Sequence, residues 1–233
     1  MNGEGSSDPE RALRKYIVKK FRNIHKNIPC FHSPFQFELM AKFILPMDIE
    51  GPFVECGCAQ GGSTAKLSIL AKEKDSKLLV FDTFEGLPEA SNEKESILRG
   101  SISIGDIPLV AKNYTGSIDA VKSNIQKYGC IEVCEFYKGL FEDTLVNFNE
   151  TPAVVYIDVD YVSSARDCLK YLWPRLKTNG YFFTHEAGFS EYAKGILDPK
   201  WWNDNLGESP PILMGAGSGL SFLTRSLGYM QKL

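Results

Sequence analysis

The stretch "FVECGCAQGG", residues 53–62, sets two cysteines one residue apart beside three glycines. Cysteine pairs ligate metals only when further sulfur or nitrogen ligands stand nearby. None follows within thirty residues, and a strand end turns Cys56 and Cys58 in opposite directions. The glycines therefore point to a turn that brings backbone N–H groups against a small molecule at a helix N-terminus. A dinucleotide turn would place glycines at 57, 59 and 62. Here the middle position is Ala59, whose methyl group opposes the approach of a pyrophosphate. A cofactor without pyrophosphate avoids that conflict. Asp82 ends the next apolar run, twenty residues after Gly62, where a carboxylate accepts hydrogen bonds from ribose hydroxyls. Glu55 interrupts an apolar run one position before the loop. An ammonium-bearing cofactor would give it a partner; a hydrogen bond to the loop is the alternative.

These residues need a scaffold. Short apolar runs at 53–56, 77–81, 132–137, 153–158 and 181–184 alternate with helical patterns at 62–73, 117–128 and 163–173. Alternation of this kind predicts a parallel sheet with helices on both faces. "AVVYI" is apolar without alternation, as in a central strand covered on both sides. Near the C-terminus "ILM" and "LSFLT" flank "GAGSG", which predicts a late hairpin at the sheet edge.

Two helices precede the first strand. Leu13, Ile17, Phe21 and Ile24 form one face of a basic helix over 9–26, read as solvated outside, with a membrane or partner surface as the other option. Ser33, Pro34 and Gln36 spell a capping box for the second. The organisation expected is a helical extension over 1–48 and an α/β domain over 49–233. Lid insertions are expected near 86–116 and 189–211. The second carries Tyr192, Trp201 and Trp202, read either as stacking surfaces for a sugar or aromatic ring or as packing between subunits.

The chain has 233 residues, 43% hydrophobic, with a net charge of −3. That balance gives no global field favouring nucleic acid. No apolar run reaches membrane-spanning length. "MNGEGSSDPE" lacks the features of a signal peptide, so a cytoplasmic protein is expected. Cys30, Cys130, Cys134 and Cys168 read as buried free thiols.

"VECGCAQGGST", "VFDTFEGLPE", "YKGLFEDTL" and "VVYIDVDYVSSARDCLKYLWPRLKTNGYFF" occur in an order and spacing that resemble the macrocin O-methyltransferase family, from about 50 to 188. The resemblance implies a class I methyltransferase fold, Rossmann-like and mostly parallel with a reversed edge strand. It also implies S-adenosylmethionine as cofactor and methyl transfer to a hydroxyl of a small metabolite, a sugar or glycoside. Glu55, Gly57 and Gly61 would line the methionine end, Asp82 the ribose, and Gly139, Leu140 and Phe141 the adenine.

The family's metal site implies a divalent ion such as magnesium on Asp158 of "IDVD" and a later acidic pair. His185 and Glu186 of "FTHEAG" stand in that pair's place. These three, at adjacent strand ends, would be catalytic. His185 acts as base, or Asp158 and Glu186 with His185 hold the ion that acidifies the acceptor. Asp160 divides evenly between a cap or loop role and catalysis. Homo-oligomerisation is left open. The competing readings are a degenerate S-adenosylmethionine-binding scaffold, an NAD(P)-dependent oxidoreductase, and nucleic-acid methylation.

Overall fold

A computed structural model describes residues 9–88, 115–215 and 227–233. The elements are α1 (Pro9–Asn27), α2 (Pro34–Ile44), β1 (Phe53–Cys56), α3 (Gly62–Glu73), β2 (Leu78–Asp82) and α4 (Ile118–Tyr128). There follow β3 (Cys134–Lys138), α5 (Phe141–Thr144), β4 (Val154–Ile157), α6 (Val162–Leu172), β5 (Tyr181–Thr184), α7 (Ser190–Ile196), α8 (Pro199–Leu206) and β6 (Gly228–Gln231).

The strands form one sheet of order β3-β2-β1-β4-β5-β6. Every pairing is parallel except β5 with β6, where Phe182 faces Met230 and Thr184 faces Gly228. Alternate strand residues feed opposite cores. Phe53, Leu78, Val80, Val154, Tyr156 and Phe183 pack under α1–α4. Val54, Leu79, Phe81, Val155, Ile157 and Phe182 pack against α5–α8. Cys56 joins the second core and Cys58 the first, so the two thiols diverge.

The basic helix α1 buries Ile17, Phe21, Ile24 and Ile28 in the same core as β1, β2 and α3. Its charged side faces outward, with Arg11, Lys15, Lys19 and Arg22 exposed. Ser33 and Gln36 close the capping box at the start of α2, the Ser33 N–H donating to Gln36 Oε1 at 3.1 Å.

The strand on the outer edge of β5 is Gly228–Gln231; the hairpin expected between 212–214 and 220–224 falls partly outside the described residues. Met214 makes only an isolated bridge to Tyr229, and 220–224 lie outside the described residues. The sheet accepts "GYMQ" because Gly228 and Met230 are buried while Tyr229 and Gln231 are half-buried, the alternation of an edge strand.

Of the aromatics in 189–211, Tyr192 and Trp202 are not a stacking surface, whereas Trp201 is half-buried and Phe189 lines the cavity at the strand ends. Tyr192 and Trp202 are fully buried within this chain, on α7 and α8. The Trp202 indole donates to Ile196 O at 2.7 Å and meets Trp173 edge-on at 5.3 Å. Of the stretch 86–116, only 86–88 and 115–116 are described.

Candidate active site

Strand order reverses between β1 and β4, and the cleft opens where these strands part. Gly57 leaves β1 with φ +85°, and a Cβ there would lie 2.0 Å from the Asp158 carbonyl oxygen. Only glycine passes that point. The loop then turns at Ala59, with φ +45°, and enters α3 at Gly61, with φ +84°. The Asp158 N–H donates to Cys56 O at 2.9 Å, so the glycine loop and the end of β4 are in direct backbone contact.

At the neighbouring strand end, Asp82 accepts the Cys58 N–H at 2.6 Å and the Phe84 N–H at 2.7 Å. Two backbone donors fix its carboxylate and leave lone pairs for a ligand. Beyond β3, Gly139 donates its N–H to Asp82 O at 3.0 Å, which turns Leu140 and Phe141 toward the cleft.

One cavity of about 510 Å³ joins these pieces. Gly57, Asp82 and Phe141 line one part, and Asp158, His185 and Glu186 another. Glu55, Gly61 and Gly139 do not line it. Glu55 is fully buried, with both carboxyl oxygens unpaired. Burial pushes its pKa up to about 8; the nearby Ser63 and Thr64 hydroxyls work against this without reaching hydrogen-bond geometry.

The Asp158, His185 and Glu186 side chains converge. His185 Nδ1 lies 3.2 Å from Asp158 Oδ1 and 3.6 Å from Glu186 Oε1. The Tyr156 hydroxyl donates to Asp158 Oδ2 at 3.3 Å, and the Thr184 hydroxyl to Glu186 Oε2 at 3.3 Å. Burial alone would lower the His185 pKa, but the charges and hydrogen bonds of Asp158 and Glu186 outweigh it and hold the imidazole well above its usual range. Burial likewise works to raise Asp158, but His185 outweighs it and keeps the carboxylate ionised. Burial raises Glu186 to about 8.

Ligand atoms of the three lie within 4.8 Å of one another, and Glu186 Oε1 is buried with no hydrogen-bond partner. A mixed nitrogen and oxygen donor set with an orphaned carboxylate oxygen fits a divalent ion.

Asp160 follows on the same loop with φ +61° and lines the cavity. It does not cap α6, whose N-cap is Tyr161 with no side-chain cap bond. Burial, then the Asp158 charge, push its carboxyl up to about 7. Sequence reasoning missed the segment Pro29–His32, which forms another wall, and Lys66, which is buried behind it. Neither belongs to a recognisable motif.

A mostly parallel sheet in this order, with a reversed edge strand and a cleft at the β1/β4 switch point, defines a class I methyltransferase. The comparisons agree and go further. The family model described as Macrocin-O-methyltransferase (TylF) matches residues 35–197, well over half the chain. The chain belongs to that family and is an S-adenosylmethionine-dependent O-methyltransferase.

The demethyldecarbamoylnovobiocin O-methyltransferase of Streptomyces niveus is 23% identical over 205 residues, 85% of this chain and 71% of that protein. Among solved structures, the O-methyltransferase NovP superposes with a TM-score of 0.70 at 18% identity, over 96% of this chain and 99% of that one. The calicheamicin methyltransferase CalS11 gives 0.59 at 15% identity, over 99% and 98%.

Proposed function

We propose that the acceptor is a hydroxyl of a sugar or glycoside, that Asp160 receives its proton, and that Asp158, His185 and Glu186 hold a divalent ion beside it. The observation that carries this reading is the position of Asp160. It lines the cavity two residues from Asp158, and it serves no helix cap. Bound S-adenosylmethionine supplies an electrophilic methyl group. The chain must orient the acceptor oxygen in line with it and take the proton that oxygen loses.

Asp82 and the loop after Gly57 support the binding of the cofactor's ribose and methionine portions. A divalent ion on the cluster would supply Lewis acidity toward the acceptor oxygen. His185 is a poor base in the geometry seen, because its ring already shares a proton with Asp158 at 3.2 Å. The names of the relatives support a sugar acceptor: one is named a demethyldecarbamoylnovobiocin O-methyltransferase, and another structure is titled a TDP-rhamnose 3'-O-methyltransferase. Cytoplasmic residence belongs to the same proposal; no described helix is long and apolar enough to cross a membrane.

A panel of glycosides and phenols, assayed for transfer of labelled methyl, tests the acceptor class. On any acceptor found, Asp160→Asn should lower kcat by about a hundredfold or more while cofactor affinity holds. Chelator and Glu186→Gln should each abolish turnover. Full turnover by Asp160→Asn removes its role, and full turnover in chelator removes the ion.

A further inference from the structure

The chain has three histidines, and His32 neighbours both of the others. The His25 and His32 ring centroids are 6.4 Å apart, and those of His32 and His185 are 6.5 Å apart. His32 lies on the segment between α1 and α2, lines the cavity, and precedes the residues matched by the family model. Behind it is Lys66 of α3, fully buried and without an ion-pair partner among the described residues. An ammonium in that position is costly unless its protons are used.

They are used on the 28–32 segment. Lys66 Nζ lies 2.7 Å from His32 Nε2 and 3.4 Å from Cys30 Sγ. The Cys30 thiol donates to Ile28 O at 3.2 Å, which leaves its sulfur to accept from Lys66. Nζ also sits 5.1 Å above the Phe37 ring, a surface that favours a cation. A charged Lys66 in this place would donate toward both partners. With Nε2 accepting, neutral His32 carries its proton on Nδ1.

The two rings that Lys66 touches each reach the reactive cluster. His32 meets the His185 ring edge to face, at 82°. Phe37 meets Tyr156 at 5.3 Å, and the Tyr156 hydroxyl donates to Asp158. The helix that begins at the glycine loop is thus tied, through one buried lysine, to the residues proposed to act on the acceptor.

We propose that Lys66 and His32 are a positioning pair: Lys66 fixes the tautomer and ring plane of His32, and His32 holds the His185 ring against Asp158. The role in turnover rests on the assignment of Asp158, His185 and Glu186 as the reacting cluster; the pairing itself does not.

Because the chain has three histidines, nitrogen-15 NMR of histidine-labelled full-length protein at neutral pH resolves each ring, assigned by single substitutions. Wild-type His32 should be protonated on Nδ1 and bare on Nε2. Lys66→Met should scramble that tautomer, and both Lys66→Met and His32→Phe should move the His185 signals. A wild-type His32 protonated on Nε2, or His185 signals unmoved in both variants, overturns the proposal.

Methionine fills the lysine's volume but leaves the buried His32 Nε2 without its donor, so Lys66→Met should melt somewhat below the wild-type temperature. A lowered melting temperature with unmoved His185 signals would mean a structural clamp alone and would also overturn it. If Lys66→Met fails to fold, His32→Phe, which keeps the ring, decides the matter by the same His185 signals. On an acceptor that the wild type methylates, either variant should lose about tenfold or more in kcat with cofactor affinity near the wild-type value. Unchanged kcat overturns the proposal. Should Asp158→Asn turn over at the wild-type rate, the assignment of the cluster fails instead, while the tautomer measurement still reports on the pairing.

Discussion

Replacement of Glu55 by glutamine should change how stability depends on pH, in a direction that its burial dictates. In the unfolded chain this carboxyl ionises near 4.5, and in the folded protein burial holds its proton to about 8. Between those values the folded state carries a proton that the unfolded state has lost. Stability therefore falls as pH rises through that window, is complete below it, and levels off above about 8. Each tenfold change in proton affinity is worth about 1.4 kcal/mol, so the loss across the window is about 5 kcal/mol.

Glutamine has the shape of the protonated acid and cannot ionise, so Glu55→Gln lacks this term. Urea unfolding of ligand-free wild type and variant at several pH values between 5 and 8.5 reads it (values chosen to bracket the window). The two should be about equally stable at the acid end, with the variant ahead by several kcal/mol at the alkaline end. Other titrating groups cancel in the difference. Parallel curves would show that Glu55 is not held neutral and that its unpaired oxygens find partners.

Asp82→Ala removes a carboxylate fixed by two backbone N–H groups. It should weaken S-adenosylmethionine binding by about tenfold or more in calorimetry, and an unchanged affinity in a folded variant denies the ribose role. Trp202→Ala opens a cavity under α8 and should cost about 3–5 kcal/mol of stability without altering cofactor affinity; a normal melting temperature would contradict the buried position.

Central strands were legible because nothing competes with a short apolar run that meets a glycine loop. "FVEC" and "YFFT" form β1 and β5 without shift. β3 starts two residues later than the pattern suggested, since Ile131–Val133 coil into a single 3₁₀ turn after Gly129 and Cys130. The edge strand Gly228–Gln231 was not legible, because an edge needs only alternate burial and "GYMQ" supplies it with little strand composition.

The positions of Asp82 and Asp158, at strand ends beside the cavity, were readable. The inward turn of Tyr192 and Trp202 was not, because aromatic content does not say which way a helix faces. Lys66 was hidden by its charge. α3 is enclosed from Gly62 through Ala71, so a lysine that reads as a solvated helix position is interior. Its partner His32 is thirty-four residues away and joins it only through the packing of α1 and α2.

The burial of α1 sets the smallest piece of this chain that can stand alone. Family likeness begins at residue 35, yet Ile17, Phe21, Ile24 and Ile28 are sealed against β1, β2 and α3. Each is worth about 1.5–3 kcal/mol, and together they rival the whole stability of an ordinary domain. A truncation at the family boundary would strip the cover from one face of the sheet and leave an insoluble remnant. A shortened enzyme for expression or grafting should therefore keep the chain from residue 9 onward.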